Sequence, residues 1–283
     1  MNHVATIAES VAAGARALTA HSDSPRLDAE LLLGKVLGLS RAALIARDAE
    51  AVSAECGRAY AGMIARRAHG APVAYLTGSR EFWSLTLNVT PAVLVPRPET
   101  ETLIERALQL KSADAACTVL DLGTGSGAIA LAIAAERPRW QVTGVDISPQ
   151  ALEVAAQNAL QLKLARIHWR LGSWFDAVPA ERFDLIVANP PYIATADPAL
   201  ANLAAEPRIA LHAGATGLEA LAAIIAAAPL HLRSRGWLAL EHGATQALDV
   251  ARLLETRGFS QACTYPDAFG KSRVTLAIIQ TQH

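Results

Sequence analysis

The stretch Cys117-Thr118-Val119-Leu120-Asp121-Leu122-Gly123-Thr124-Gly125-Ser126-Gly127, running into the alanine-rich segment Ala128 to Glu136, decides the fold. Thr118 to Leu122 has the length and apolar character of a strand, and Ala128 to Glu136 has the composition of a helix. The glycines between them permit a tight turn and bring backbone N–H groups up to a ligand. The helix N-terminus beyond favours an anion such as a carboxylate. Gly123-x-Gly125-x-Gly127 is not the dinucleotide spacing, which needs its third glycine one place later. Alone, the loop leaves nucleotide and methyl-donor binding both open.

Downstream the alternation continues. Strands are predicted at Gln141 to Val145, Ile167 to Leu171, Phe183 to Ala188 and Gly236 to Glu241. Helices are predicted at Gln150 to Leu162, Leu218 to Leu232 and Gln246 to Arg257. Strands alternating with helices imply a parallel sheet with crossover helices, an α/β fold. Phe259 to Tyr265 and Arg273 to Ile279 are joined by too short a loop for a crossover, so the last strand is antiparallel to the rest.

Two residues at strand ends point to a ligand. Asp146 lies 25 residues after Asp121 and can take both hydroxyls of a ribose, or else precede a helix cap at Ser148. Trp174, beyond the third strand, either covers a flat ring or packs, while Phe175 points into the core.

The strand Phe183 to Ala188 ends in Asn189-Pro190-Pro191-Tyr192. Two prolines have fixed φ and no N–H for a sheet, so this is a stiff loop at the mouth of the sheet, where ligands of open α/β folds bind. An amide or exocyclic amine is a feeble nucleophile because its lone pair is delocalised. To methylate it, a site must hold both N–H groups with acceptors and aim the lone pair at the methyl. The Asn189 side-chain oxygen and the Pro190 carbonyl are two such acceptors, and Tyr192 offers a flat face worth about 0.5–1.5 kcal/mol beyond area burial. The competing reading is an Asn-Pro turn that merely ends a strand.

Residues 3 to about 70 read as helices only. Val4, Ile7, Val11, Ala15 and Leu18 recur at helical spacing, Ser24-Pro25 punctuates, Leu27 to Leu37 makes a second helix, and Ser40 and Ser53 cap two more. This bundle is either a stabilising appendage or a partner-recognition domain. Between the domains, Phe82 to Val89 and Val93 to Val95 read as two strands around Thr90-Pro91. Glu99 and Glu101 then complement a helix dipole or border the donor pocket. Glu206-Pro207-Arg208 reads as a surface loop able to close over substrate, and His242 as structural.

The formal charge of -1 at pH 7 in a chain of 283 residues argues against a duplex-DNA protein, apart from a basic patch of Arg66, Arg67, His69 and Arg80. Cys56, Cys117 and Cys263 fit no zinc spacing, and no metal is expected. The absence of a secretory signal and of any apolar window of about 20 residues predicts a cytoplasmic protein with no membrane span.

With these motifs in hand, the chain resembles the HemK/PrmC-type protein-(glutamine-N5) methyltransferases, which methylate a glutamine in peptide chain release factors. The resemblance rests on Phe82-Trp83, Val95-Pro96-Arg97-Pro98-Glu99-Thr100-Glu101, Asp121 to Gly127, Val145-Asp146, Asn189-Pro190-Pro191-Tyr192, Glu206-Pro207-Arg208 and Arg273-Val274-Thr275. It implies a Rossmann-like class I S-adenosylmethionine-dependent methyltransferase domain, with a seven-stranded, mostly parallel sheet whose last strand is antiparallel. The implied organisation is a helical substrate-recognition domain over 1–75, a β-hairpin connector over 76–98 and a catalytic domain over 99–283. By the same resemblance, Gly123, Thr124, Gly125, Ser126 and Gly127 wrap the donor, Asp146 holds its ribose and Trp174 contacts adenine. Asn189 sits at both donor and glutamine, Pro190 lends its carbonyl, Pro191 stiffens the corner and Tyr192 flanks the amide. Many relatives carry an acid where this chain has Ser173. The implied partner is a release factor, methylated by a monomer without stable nucleic-acid binding, with S-adenosylhomocysteine as product. Two other readings are an adenine-N6 DNA methyltransferase, which needs the same corner with a flipped base, and a non-catalytic module that keeps the donor pocket.

Overall fold

The structure, a computed structural model, describes residues 5–279. Val4 and the other residues expected to begin the first helix before residue 5 lie outside the described residues. The chain forms two compact units that divide between Ser79 and Arg80.

The first unit is helical: α1 (Ile7–Leu18), α2 (Pro25–Leu37), α3 (Arg41–Ala46), α4 (Ala54–Ala68) and α5 (Val73–Thr77). Thr6 and Glu9 form a reciprocal capping box at the start of α1. Pro25 opens α2 and Gly38, left-handed, closes it. Ser40 and Ser53 both accept the backbone N–H three residues on. Ile7, Leu18, Leu32, Leu33 and Ile64 make the core of this unit. The expected basic patch is reduced, because Arg67 pairs with the buried Asp28 at 2.7 Å.

The second unit starts with a hairpin of β1 (Ser79–Phe82) and β2 (Leu85–Asn88). This corrects the connector. The turn is Trp83-Ser84, both at positive φ, and not Thr90-Pro91. Val93 to Val95 form no strand; Val95 sends its N–H to a side chain, Glu206 Oε2, at 3.1 Å. The hairpin is bound to its unit by Trp83 N donating to Glu101 Oε1 (3.0 Å) and Asn88 N to Asn158 Oδ1 (2.7 Å).

A 3₁₀ turn (Pro98–Thr100) leads into α6 (Glu101–Gln109). There follow β3 (Cys117–Leu122), α7 (Ala128–Glu136), β4 (Trp140–Asp146), α8 (Pro149–Gln161), β5 (His168–Leu171) and β6 (Phe183–Ala188). The chain ends with α9 (Ala199–Asn202), α10 (Glu219–His231), β7 (Leu232–Glu241), α11 (Ala247–Thr256), β8 (Phe259–Pro266) and β9 (Ser272–Ile279). The sheet has seven strands in the order β5-β4-β3-β6-β7-β9-β8, parallel except for β9, which runs antiparallel to both neighbours.

Alternate residues of the central strands face opposite layers, as a pleated strand requires. Val119, Leu185 and Val187 pack with Leu103 and Ile104 of α6 and with α7. Leu120, Leu122 and Ile186 pack with Leu221 and Ile224 of α10 and Val250 of α11. Cys117 is one of these core residues, and burial pushes its thiol up to about 12. The sheet is therefore buried on both sides. The carboxyl ends of β3, β4 and β6 are where the chain leaves this dry core, and there the site is built.

Candidate active site

β3 and β4 run in register, Leu122 beside Val145, so the loop after β3 and the acid ending β4 emerge together. The N–H groups of Gly123 and Thr124 both donate to the Val145 carbonyl at 2.9 Å. Gly125 N donates to Asp146 Oδ2 (2.8 Å), and Ser148 N donates to Asp146 Oδ1 (2.9 Å). Each Asp146 oxygen thus uses one acceptor site and keeps another. Ser148 is itself the cap of α8, accepting from Ala151 N at 3.2 Å.

Gly123, Gly125, Asp146, Ser173, Trp174, Asn189 and Pro191 line a cavity of about 340 Å³. Gly123 has φ +70°, and a Cβ there would meet the Trp174 ring at 3.4 Å. The indole therefore lies against the glycine loop as a wall of the cavity. Phe175 turns into the core and stacks on His231. Thr124, Ser126 and Gly127 do not line the cavity. The Thr124 hydroxyl donates to the buried Asp121 at 2.6 Å, and the Ser126 carbonyl accepts from Asn158 at 2.9 Å. Gly127 has φ +82° and is packed against Leu131, Trp169 and Ala155. These three shape the turn, and of the loop's residues Gly123 and Gly125 are the ones that line the cavity.

Asn189 borders a second, smaller cavity of about 70 Å³ as well, with Leu94, Arg97, Tyr192, Ile193, Leu203, Ala210 and Leu211. Asn189 is thus on the wall of both cavities. Its Nδ2 donates to Thr100 Oγ1 at 3.1 Å. Tyr192 donates its hydroxyl to Glu241 Oε1 at 3.2 Å. Gln246 Nε2 donates to the Tyr192 carbonyl (3.1 Å), while its Oε1 accepts from Gly243 N (2.8 Å). The corner is thereby fixed from the end of β7. Pro190 is buried and lines neither cavity.

Glu241 is fully buried, and burial pushes its carboxyl up to about 7 against the opposing pull of Thr100, Arg273 and Tyr192; Glu99 adds to the rise. Burial, followed by the charge of Glu241, pushes the Tyr192 phenol above the ordinary tyrosine range. His242 is buried too, its Nε2 2.8 Å from the Thr275 hydroxyl, and desolvation holds its imidazole below the usual value.

Several residues differ from the sequence reading. Glu206 is not part of a loose surface loop: it is buried, accepts from Val95 N and pairs with Arg97. Its neighbours Pro207, Ile209 and Ala210 wall the larger cavity. Neither Glu99 nor Glu101 lines either of these two cavities, and Thr100 between them is the residue that reaches Asn189. Thr100 and Glu241 escaped the sequence reading. The signal for Glu241 was an acid at the end of an apolar strand beside Asn189's strand, the same signal that singled out Asp146.

Residues 9–78 match a family model described as the PrmC N-terminal domain, and residues 113–253 match one described as a methyltransferase domain. A release factor glutamine methyltransferase of Xylella fastidiosa is 48% identical over 89% of this chain and 92% of its own length. One from Coxiella burnetii is 45% identical over 92% of this chain and 94% of its own. Among solved structures, a methyltransferase from Pyrococcus furiosus aligns with a TM-score of 0.54 at 17% identity, over 70% of this chain and 90% of that one, which is a likeness of fold. Among the described residues no helix is long and apolar enough to cross a membrane, and no group of His, Cys, Asp and Glu could hold a metal ion.

Proposed function

The chain belongs to the release factor glutamine methyltransferases, and from that premise we propose that it methylates the side-chain amide nitrogen of a glutamine in a peptide chain release factor, with S-adenosylmethionine as donor. The observation that carries this reading is the position of Asn189 on the wall of two cavities, one large and one small.

The residues of the larger cavity suit the donor. A Cβ at Gly125 would meet no protein atom within 4 Å, so the backbone there is open to a ligand. Asp146 retains acceptor sites for a ribose, and Trp174 offers a flat ring to an adenine. When bound, the donor supplies a methyl carbon activated by a positively charged sulfur. The smaller cavity takes the carboxamide. Asn189 Oδ1 accepts one of its N–H bonds and Tyr192, on the same wall, flanks its plane, while the buried Pro190 stiffens the backbone behind them. The nitrogen gains the methyl carbon and gives up one proton to water. The work of the corner is orientation and polarisation, done by groups that need not reorganise.

The helical unit before Ser79 is the docking surface for the release factor, and the enzyme works as a monomer in the cytoplasm, releasing S-adenosylhomocysteine. The adenine-N6 reading of the same corner finds no support in these relatives. Incubation with methyl-labelled donor and either release factor or DNA tests the choice. Label on the release factor is expected; label on DNA alone overturns it.

A further inference from the structure

The connection from β5 to β6 carries only a 3₁₀ turn (Trp174–Ala177), where the other parallel crossovers carry an α-helix. On the side of the sheet that bears Leu120 and Val145, the amino ends of β3, β4 and β5 line a cavity of about 350 Å³, and no helix lines it. Thr143 pairs with His168 and Val145 with Arg170, so His168, Arg170 and Thr143 share that side. The donor cavity lies at the opposite, carboxyl ends of the strands, and the two cavities share no lining residue.

The lining is cationic. Arg170 comes from β5, Arg182 from the loop before β6 and Arg233 from β7, with His168 beside them and Glu181 as the one acid among the described residues. Arg170 and Arg182 have no ion-pair partner among the described residues. Arg233 lies 3.6 Å from Asp184, but that carboxylate already accepts from Lys111 and from Thr118 N, each at 2.8 Å. The loop that carries Arg182 is fixed at both of its carbonyls: Arg233 Nε donates to the Arg182 carbonyl at 3.2 Å, and His231 Nδ1 lies 3.2 Å from the Glu181 carbonyl.

The floor supplies an independent sign. Thr143 lines this cavity and is 7% exposed, yet its hydroxyl makes no hydrogen bond to a described residue. A buried hydroxyl is costly to leave unpaired, and valine would fill the same volume in a strand without that cost. The hydroxyl and three guanidinium groups from three separate elements match a group with several charged oxygens on a tetrahedral centre, and guanidinium forks suit phosphate.

We propose that this cavity is a second binding site, for a small polyphosphate such as the tail of a nucleoside di- or triphosphate. Thr143 donates to one phosphate oxygen, and Arg170, Arg182 and Arg233 hold the others. The site is independent of the methyl-transfer reading, and its test needs no methylation assay.

The test is calorimetric titration of the full chain with inorganic tripolyphosphate at about 0.15 M salt, where diffuse attraction is screened. One saturable site per chain is expected, with Kd below about 1 mM. Arg170→Gln and Arg182→Gln, both at exposed positions, should each weaken it at least about tenfold. Thr143→Val should weaken it about threefold to tenfold, and Thr143→Ser, which keeps the hydroxyl, should stay within about threefold of wild type. Arg257→Gln, at an exposed arginine outside this cavity, should leave Kd within about twofold. A thermal melt checks that each variant is folded; if the valine variant is not, Thr143→Ala against Thr143→Ser decides by the same criterion. No saturable binding of tripolyphosphate at millimolar concentration overturns the proposal. So does an effect of Arg257→Gln equal to that of Arg170→Gln, or a Kd unmoved by loss of the Thr143 hydroxyl, since either would mean diffuse charge attraction. Binding of a short single-stranded RNA without binding of tripolyphosphate would make the surface one for nucleic acid and also overturns it.

Discussion

Replacing Asn189 by alanine separates architecture from chemistry at one position. Asn189 follows Ala188, which is paired in register with Leu122 of β3. Pro190 and Pro191 fix the backbone that follows, whatever side chain precedes them. The side chain makes one hydrogen bond in the free protein, the 3.1 Å contact to Thr100. Its loss therefore costs about 1 kcal/mol of stability. Turnover loses more. One preorganised acceptor on the substrate amide disappears, and the cost of removing one such polar partner is about 10²–10³ in kcat, or roughly 2.7–4 kcal/mol. The assay is single-turnover methylation of release factor at saturating donor, with donor Kd by calorimetry and a thermal melt on the same preparation. The expected pattern is a kcat reduced at least about a hundredfold with a melting shift of a few degrees. An enzyme that kept kcat within about threefold would refute the reasoning, because the amide would then be gripped elsewhere.

Further consequences concern the loop, the ring wall and the buried acids. Gly127→Ala forces a Cβ to 3.0 Å from Leu131 and 3.1 Å from Trp169 at φ +82°; strain and overpacking together cost about 2–5 kcal/mol, read as a lower urea midpoint. Trp174→Ala removes a wall of the larger cavity and should weaken donor binding about tenfold by calorimetry, with little change in stability at this partly exposed site. Asp121 and Glu241 are both pushed up to about 7, chiefly by burial, the nearby Asp146 adding to the rise at Asp121. An acid whose folded value is raised binds more protons folded than unfolded, so its contribution is fully present below about pH 4 and is lost as pH rises toward 7. Asp121→Asn removes one of these terms; the stability of the variant relative to wild type should rise between pH 5 and 8 by at least about 1 kcal/mol, measured by urea unfolding. A difference that stayed flat across that window would show that Asp121 is already ionised without penalty.

The catalytic unit was legible where its chemistry is local. Strands and helices alternate with clear periods, glycines mark the turn after β3, and Asp146, Trp174 and Asn189 each sit at the end of an element that can be read in a dozen residues. The seven-stranded sheet with β9 antiparallel follows the sequence reading. The hairpin did not, because Trp83 and Ser84 take positive φ without the glycine or asparagine that announces such a turn. Val93 to Val95 have strand composition, but Val93 and Val95 bury their side chains outside any ladder while Leu94 faces the cavities. The supports of the corner were illegible for another reason. Thr100, Asn189 and Glu241 lie on three separate elements, and their meeting depends on strand order, with β7 next to β6. Glu206 and Arg97 are likewise 109 residues apart and meet only in the fold.

The central claim is that a proline-stiffened corner presents a carboxamide nitrogen to a donor in the adjoining cavity. Tandem mass spectrometry of release factor peptides, after incubation with enzyme and S-adenosylmethionine, tests it most directly. The account predicts one added methyl group on the side-chain nitrogen of a single glutamine, absent with Asn189→Ala. A methyl group on any other side chain, or the same modification at an undiminished rate with that variant, would contradict it.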